Sequence, residues 1–353
     1  MIHQVEERVF HFNQPAGTSR GVYLKRKSWF ITLLLENGRK GMGECAPLPD
    51  LSMDAMPDDD FELCLNTRIN AILPRLTEAQ EQPDALGRQL KIAETAFSDY
   101  PSMRFGLETA LLNLHHGERL FNTPFSRGEE GIPINGLVWM GSYDEMEKRM
   151  EEKIEKGFRC VKIKIGAIRF DEELELIRKI RRRFSRDIIE IRTDANGAFS
   201  PSEAMDRLQQ LAQFQIHSIE QPIRQHQWRE MAELCRISPV PVALDEELIG
   251  LSSAHDKTEM LELVKPQYIV LKPSLHGGIA GCSEWIDLAA KRGVKSWITS
   301  ALESNVGLNA IAQFASHVYG EHITFHQGLG TGQIFTDNTD SPLSLHGEYL
   351  WHH

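Results

Sequence analysis

The sequence predicts an α/β chain in which a parallel (β/α) barrel follows a smaller α+β domain. Before residue 130, alternating strand-like segments and a hairpin signal precede helical patterns; after it, short β-branched runs alternate with helical stretches. The length of 353 residues suits a barrel-sized domain with a companion.

Residues 21–35 alternate as an antiparallel strand would, and Asn37-Gly38 is a hairpin turn signal. Residues 41–49 read as a loop, and 61–71 and 104–116 as helices. Strand candidates then fall at 132–139, 160–165, 188–193, 217–220, 241–244, 268–271, 295–298 and 322–325, with helices between them. One helix start is marked by Ser200-Pro201-Ser202-Glu203: an N-cap, a proline at the first helical position and a capping-box glutamate. Met205, Leu208, Leu211 and Ala212 follow as its buried face.

Composition narrows the function classes. Apolar residues at 41% and charged residues at 25% are globular values that exclude wholesale disorder. A net charge of −11 and a single cationic cluster at 178–183, which fits a solvated helix face, argue against nucleic acid as a partner. No apolar run approaches the roughly 20 residues of a membrane helix, so no membrane partner is expected. The five cysteines (45, 64, 160, 235, 282) form no CxxC, and the N-terminus lacks signal-peptide features; both fit a cytoplasmic protein with reduced thiols.

The strand ends carry the chemistry, because barrel active sites sit at the C-terminal face. Alternation along 160–165 sends Val161, Ile163 and Ile165 toward the helices and Lys162 and Lys164 into the barrel. The next strands end in Asp194, Glu220, Asp245 and Lys272. From Lys164 these lie 30, 26, 25 and 27 residues apart in succession, one βα unit each time. Each signal alone has an ordinary explanation: Lys-x-Lys is commonly a solvated edge, and an Asp after a strand a turn or cap. Their recurrence at one-unit spacing sets them apart. Three adjacent carboxylates repel unless a hard cation sits among them, and oxygen donors suit Mg²⁺. Lys162, a like charge on the same face, and partial desolvation should lower the Lys164 amine toward the neutral form a base requires.

These residues resemble the enolase superfamily, in its branch with Lys-x-Lys on strand two and a lysine on strand six. The resemblance covers nearly the whole chain. It implies a modified TIM (β/α)7β-type barrel with an N-terminal α+β capping domain, divided as 1–128 for the cap, 129–326 for the barrel and 327–353 for a segment returning toward the cap. It further implies that Asp194, Glu220 and Asp245 bind Mg²⁺, with Mn²⁺ as a substitute, while Lys164 and Lys272 flank a small-molecule carboxylate. Where the branch has Asp-Glu-Ser after strand five, this chain has Asp245-Glu246-Glu247; Asp245 keeps the one-unit spacing.

Stretches 18–21, 300–307 and 328–332 resemble members that remove water, syn, from a 2-succinyl-6-hydroxycyclohexadiene carboxylate to give an aromatic product. On that basis Arg20 in a cap loop would pair with a substrate carboxylate, and Ser300 and Gly328 would donate hydrogen bonds. Asn196 and Glu246 would support the metal ligands, and Trp139 and Trp297 would be core. Cap loops 19–21 and 49–52 would close over the mouth. The rival within the fold is racemisation of N-acylamino acids or epimerisation of dipeptides. The latter resemblance would require Asp-x-Asp after strand eight, where this chain reads Gly328-Leu329-Gly330-Thr331. Thr299-Ser300 stands where sugar-acid dehydratases carry a histidine. A barrel kept as a non-catalytic scaffold is the remaining class, and the five intact charged positions count against it.

Overall fold

The computed structural model describes residues 1–18 and 21–353. Three antiparallel strands, β1 (Ile2–Thr18), β2 (Gly21–Leu34) and β3 (Lys40–Cys45), form the cap sheet in that order. The Asn37-Gly38 turn joins β2 to β3, closed by Leu35 N–H to the Arg39 carbonyl at 2.9 Å. Helices α1 (Asp58–Gln80), α2 (Ala85–Ala96) and α3 (Pro101–His116) cover one face. Helix α1 runs well past the 61–71 read from sequence and continues through Pro74. Its buried stripe of Phe61, Leu65, Ile69, Ile72 and Leu76 outweighs the ~3 kcal/mol a helical proline costs on the exposed side. Helix α3 lies almost against the sheet: a Cβ on Gly43 would stand 1.9 Å from the Gly106 carbonyl oxygen, so glycine is required there.

The second region contains β4 (Ile132–Pro133), β5 (Gly136–Val138), α4 (Tyr143–Glu155), β6 (Cys160–Lys164), α5 (Phe170–Arg183), β7 (Glu190–Asp194) and α6 (Pro201–Ala212). It continues with β8 (Ser218–Glu220), α7 (Trp228–Ile237), β9 (Val242–Leu244), α8 (Ala254–Val264), β10 (Tyr268–Leu271), α9 (Gly278–Ala290), β11 (Lys295–Ile298) and α10 (Asn305–Tyr319). Strands β5 to β11 form one parallel sheet in sequence order. Val161, Ile163, Ile191, Ile219, Leu244 and Ile269 point outward into an apolar layer shared with the helices. The opposite face is polar on β6 and β7, in register: Cys160 beside Glu190, Lys162 beside Arg192, Lys164 beside Asp194; on β9 to β11 it carries the small apolar cluster of Ala243, Val270 and Trp297.

The eighth strand expected at 322–325 is not one. The ring closes instead through Gln327, bridged to Ile134, and Gly328, bridged to Thr299. The Gln327 side chain takes a ladder position, accepting from Ile298 N–H at 2.8 Å, so two residues do the work of a strand. No barrel helix follows. Ile334 and Thr336 hydrogen-bond to Asn13 and His11 of the cap, and Phe335 packs on Phe10 and Phe30. The chain then forms the hairpin β12 (Leu343–His346) and β13 (Tyr349–His352), which pairs with β4. The Ser200–Glu203 box is only half made: Ser200 Oγ donates to the Glu203 carboxylate at 2.7 Å and accepts from no helix N–H. A complete box instead starts α4, between Ser142 and Glu145. Among the described residues no helix is long and apolar enough to cross a membrane.

Candidate active site

The inward residues at the C-terminal ends of β6 to β10 meet in one buried mouth. Lys162 Nζ donates to both oxygens of Glu220 at 2.7 Å and lies 2.9 Å from Asp194 Oδ2. Lys164 Nζ reaches the same Asp194 oxygen at 2.9 Å and donates to Asn196 Oδ1 at 2.7 Å. Lys272 pairs with Asp245. All five charged positions of the strand-end series, with Lys162, thus form one alternating cluster, and the lysines hold the three carboxylates apart.

Backbone geometry at the strand ends aims these groups. Asn196 has φ +44°, in the left-handed region asparagine tolerates, so its N–H turns back to Asp194 Oδ1 at 3.0 Å and its side chain donates to Glu246 Oε1 at 3.0 Å. Gln221, with φ +39°, accepts from the N–H groups of Asp245 and Glu247 and so ties the end of β8 to the turn after β9. The three acids after β9 therefore separate by function. Asp245 faces Lys272 and Glu246 faces Asn196, while Glu247 accepts from His226 N–H and Gln221, away from the mouth. Gln221 carried no signal in the sequence beyond its place after Glu220.

Burial raises the cost of every charge here, and the partners decide the outcome. Burial works against ionised Asp194, but Lys162 and Lys164 hold its carboxyl well below the usual range. For Glu220, burial together with the Asp194 charge wins over Lys162 and pushes the carboxyl up to about 8. Lys162 and Lys272 are raised: burial opposes their charge, and the adjoining carboxylates overcome it. Lys162 is therefore not a bare like charge beside Lys164, since it shares Asp194 with it. His276 stays neutral, lowered to about 3 by burial and by Lys272 and Lys257, and its Nδ1 accepts from Lys272 N–H at 2.9 Å.

Asp245 Oδ1 is buried and accepts no hydrogen bond from the described residues. An acceptor oxygen left open in a buried cluster of carboxylates, all hard oxygen donors, fits a cation such as Mg²⁺.

A cavity of about 70 Å³ opens on the mouth, walled by Lys162, Lys164, Lys272 and Asn196 below and by Tyr23, Leu48 and Leu51 of the cap above. Trp139, expected in the core, lines this cavity with its ring centroid 5.9 Å from Lys164 Nζ. Trp297 also reaches the cavity, though it is almost fully buried and stacks on Arg192. Ser300 lines the wall with its hydroxyl 2.5 Å from that of Thr331. Gly328 lines it too, but its N–H is held by the Ile298 carbonyl at 2.8 Å in the closing bridge, so it offers no donor. Arg20 lies outside the described residues. The 300–307 stretch proves to be the seam between domains. Arg26 donates to the carbonyls of Ala46, Pro47, Ala301 and Leu302, and Glu44 accepts from Ser304 and Gly307.

A family model for enolase C-terminal domain-like proteins matches residues 145–350, and the chain belongs to that family within the enolase superfamily. Over 96% of its length and 95% of the relative's, it is 48% identical to the o-succinylbenzoate synthase of Desulfotalea psychrophila (strain LSv54 / DSM 12343). The crystal structure of MenC from Desulfotalea psychrophila LSv54 superposes with a TM-score of 0.82 at 41% identity, covering 99% of each chain. Within the superfamily the chain is accordingly an enzyme of the o-succinylbenzoate synthase family of lyases. Muconate lactonizing enzyme from Pseudomonas putida shares the fold, with a TM-score of 0.77 at 18% identity over 99% of this chain and 93% of that one.

Proposed function

We propose that the chain catalyses the Mg²⁺-dependent dehydration of 2-succinyl-6-hydroxy-2,4-cyclohexadiene-1-carboxylate to o-succinylbenzoate, a cytoplasmic step of menaquinone biosynthesis. The observation that carries this reading is the placement of Lys164 and Lys272 on strands either side of three buried carboxylates, in a chain 48% identical to an o-succinylbenzoate synthase. Residues 1–128 would form the cap, 129–326 the catalytic barrel, and 327–353 the returning segment.

Asp194, Glu220 and Asp245 would hold Mg²⁺, or Mn²⁺ in its place. Bound there, the ion supplies positive charge for a substrate carboxylate on which negative charge builds. Lys164, as a neutral amine, takes the proton from the ring carbon that bears the carboxylate. The electrons of that C–H bond form the new ring double bond as the C–O bond to the neighbouring hydroxyl breaks. Hydroxide leaves on the same face and takes the proton back from Lys164, which releases one water and regenerates the amine. Lys272, on the far side, offers positive charge to the ring anion. Asn196 orients Lys164 and is itself held by Glu246. Ser300 and Arg20 would contact the substrate's polar groups.

A second reading, α-proton exchange on N-acylamino acids, is favoured by Lys272 lining the same cavity as Lys164. Both readings are tested with the Mg²⁺-loaded enzyme. Dehydration predicts rapid appearance of the aromatic product by absorbance. Absence of product, with deuterium entering N-acylamino acids in D₂O, would replace it with the second reading.

A further inference from the structure

The barrel interior holds another polar cluster, at the end opposite the mouth. The alternation that sends Lys162 and Lys164 inward also sends Cys160 inward, two layers below Lys164, in register with Glu190. The Cys160 thiol donates to Glu190 Oε1 at 3.3 Å. His326, one residue before the closing bridge, brings Nε2 to 3.1 Å from Glu348 Oε2. One ligand atom each from Cys160, Glu190 and His326 all lie within 4.8 Å of one another. His217 Nε2 stands 3.9 Å from the other Glu190 oxygen. Arg192 is the cation of the cluster, donating to Glu190 at 2.7 Å and to the His326 carbonyl at 2.9 Å.

The dehydration makes no use of these groups. A thiol, an imidazole and a carboxylate make the donor set of a tetrahedral, borderline-soft ion such as Zn²⁺, and a poor one for Mg²⁺. Charge points the same way. With the thiol ionised, Cys160, Glu190 and Glu348 bring three negative charges against one positive on Arg192, and a divalent ion makes the sum neutral. The ion would replace the proton that Cys160 now donates to Glu190, and one proton would be released. A cavity of about 490 Å³ at this end is lined by Glu190 and His217, though not by Cys160 or His326. A second group, His255, Asp256 and Glu259, brings its ligand atoms equally close, but it lies at the solvent-facing start of α8, where Asp256 is held by Ser253.

We propose that Cys160, Glu190 and His326 form a structural binding site for a thiophilic divalent cation such as Zn²⁺, at the N-terminal end of the barrel and separate from the mouth. The test uses the full chain, stripped with a chelator and titrated with Co²⁺ in excess Mg²⁺, so that hard-oxygen positions are already taken. The expected result is one equivalent of Co²⁺ with a thiolate-to-cobalt charge-transfer band in the near ultraviolet, bleached when Zn²⁺ is added. Cys160→Ser should abolish the band, His326→Gln should weaken or abolish it, and Asp245→Asn and Cys235→Ser should keep it. Absence of the band in the wild-type chain, or its survival in Cys160→Ser, overturns the site. Should Cys160→Ser fail to fold by circular dichroism, His326→Gln decides, and an unchanged band there overturns the proposal. Because Asp245→Asn removes a mouth carboxylate, the outcome does not depend on the dehydratase reading.

Discussion

Asp54 in the cap and Asp194 in the barrel are both fully enclosed, and the two halves of the molecule treat them in opposite ways. Asp54 accepts from Ser102 N–H, Ser102 Oγ and Met103 N–H at the start of α3, a helix whose own N-cap residue, Tyr100, makes no side-chain capping bond. Its hydrogen-bond partners are neutral, and burial pushes its carboxyl up to about 6. Asp194 feels the same burial, yet two lysines hold it ionised. The cap uses a buried acid as a tie between segments. The barrel keeps Asp194 charged by supplying cations, and charge retained in a low-dielectric interior is what proton transfer and metal binding need.

The apolar residues repeat this contrast. Cap strand β2 turns Trp29, Ile31 and Leu33 onto Phe61, Leu65 and Ile69, so the cap interior is dry. In the barrel, β6 and β7 turn their aliphatic residues outward to the helices and leave the enclosed face polar. Fold and chemistry in the barrel therefore lie on opposite faces of the same strands, and substitutions on the two faces should fail differently.

The largest effect is expected on the inner face. Asp245→Asn should weaken Mg²⁺ binding by more than about a hundredfold, beyond the usual effect of losing a group that only supports a ligand. Calorimetric titration of Mg²⁺ checks this, with the melting temperature changing little. On the outer face, Ile163→Ala should lower stability by about 2–5 kcal/mol in urea unfolding while the folded fraction keeps its Mg²⁺ affinity. A comparable loss of affinity in Ile163→Ala would erase the distinction between faces.

The two aspartates should also separate by pH. Asp54 has a folded value of about 6 against 3.8 for the ordinary group, so its contribution to stability is full below about 3.8 and is lost as pH rises through about 6. Asp194, held low, contributes above the ordinary value, and that contribution falls away in strong acid. Urea titrations of Asp54→Asn should accordingly show a weaker pH dependence between about 4 and 6 than the parent chain. The smallest effect is local: Ser142→Ala, which removes the capping box of α4, should cost about 1 kcal/mol by thermal melting.

Much of this was legible in the sequence because the barrel strands are short, buried and evenly spaced. The Val161, Ile163 and Ile165 alternation fixed which way Lys162 and Lys164 point, and one-unit spacing placed Asp194, Glu220, Asp245 and Lys272 together. The hairpin at Asn37-Gly38 was equally local. What escaped depends on tertiary docking. Residues 322–325 have strand propensity but sit in a loop, while closure falls to Gln327 and Gly328, where a side chain replaces part of the ladder. Strand β1 runs from Ile2 to Thr18 with a mostly exposed, charged outer side and a register shift between His11 and Ala16, which blurs its period. Trp139 and Tyr23 line the cavity only because the cap closes over the barrel.

The proposed base of the mouth is Lys164. The direct test is Mg²⁺-supported turnover of the cyclohexadiene substrate by Lys164→Ala beside the wild-type chain, followed by absorbance of the aromatic product. The expected result is a loss of roughly 10²–10⁴-fold or more in kcat, the range for removal of a positioned acid–base group, in a variant that still folds and binds Mg²⁺. Turnover by that variant at the wild-type rate would contradict it.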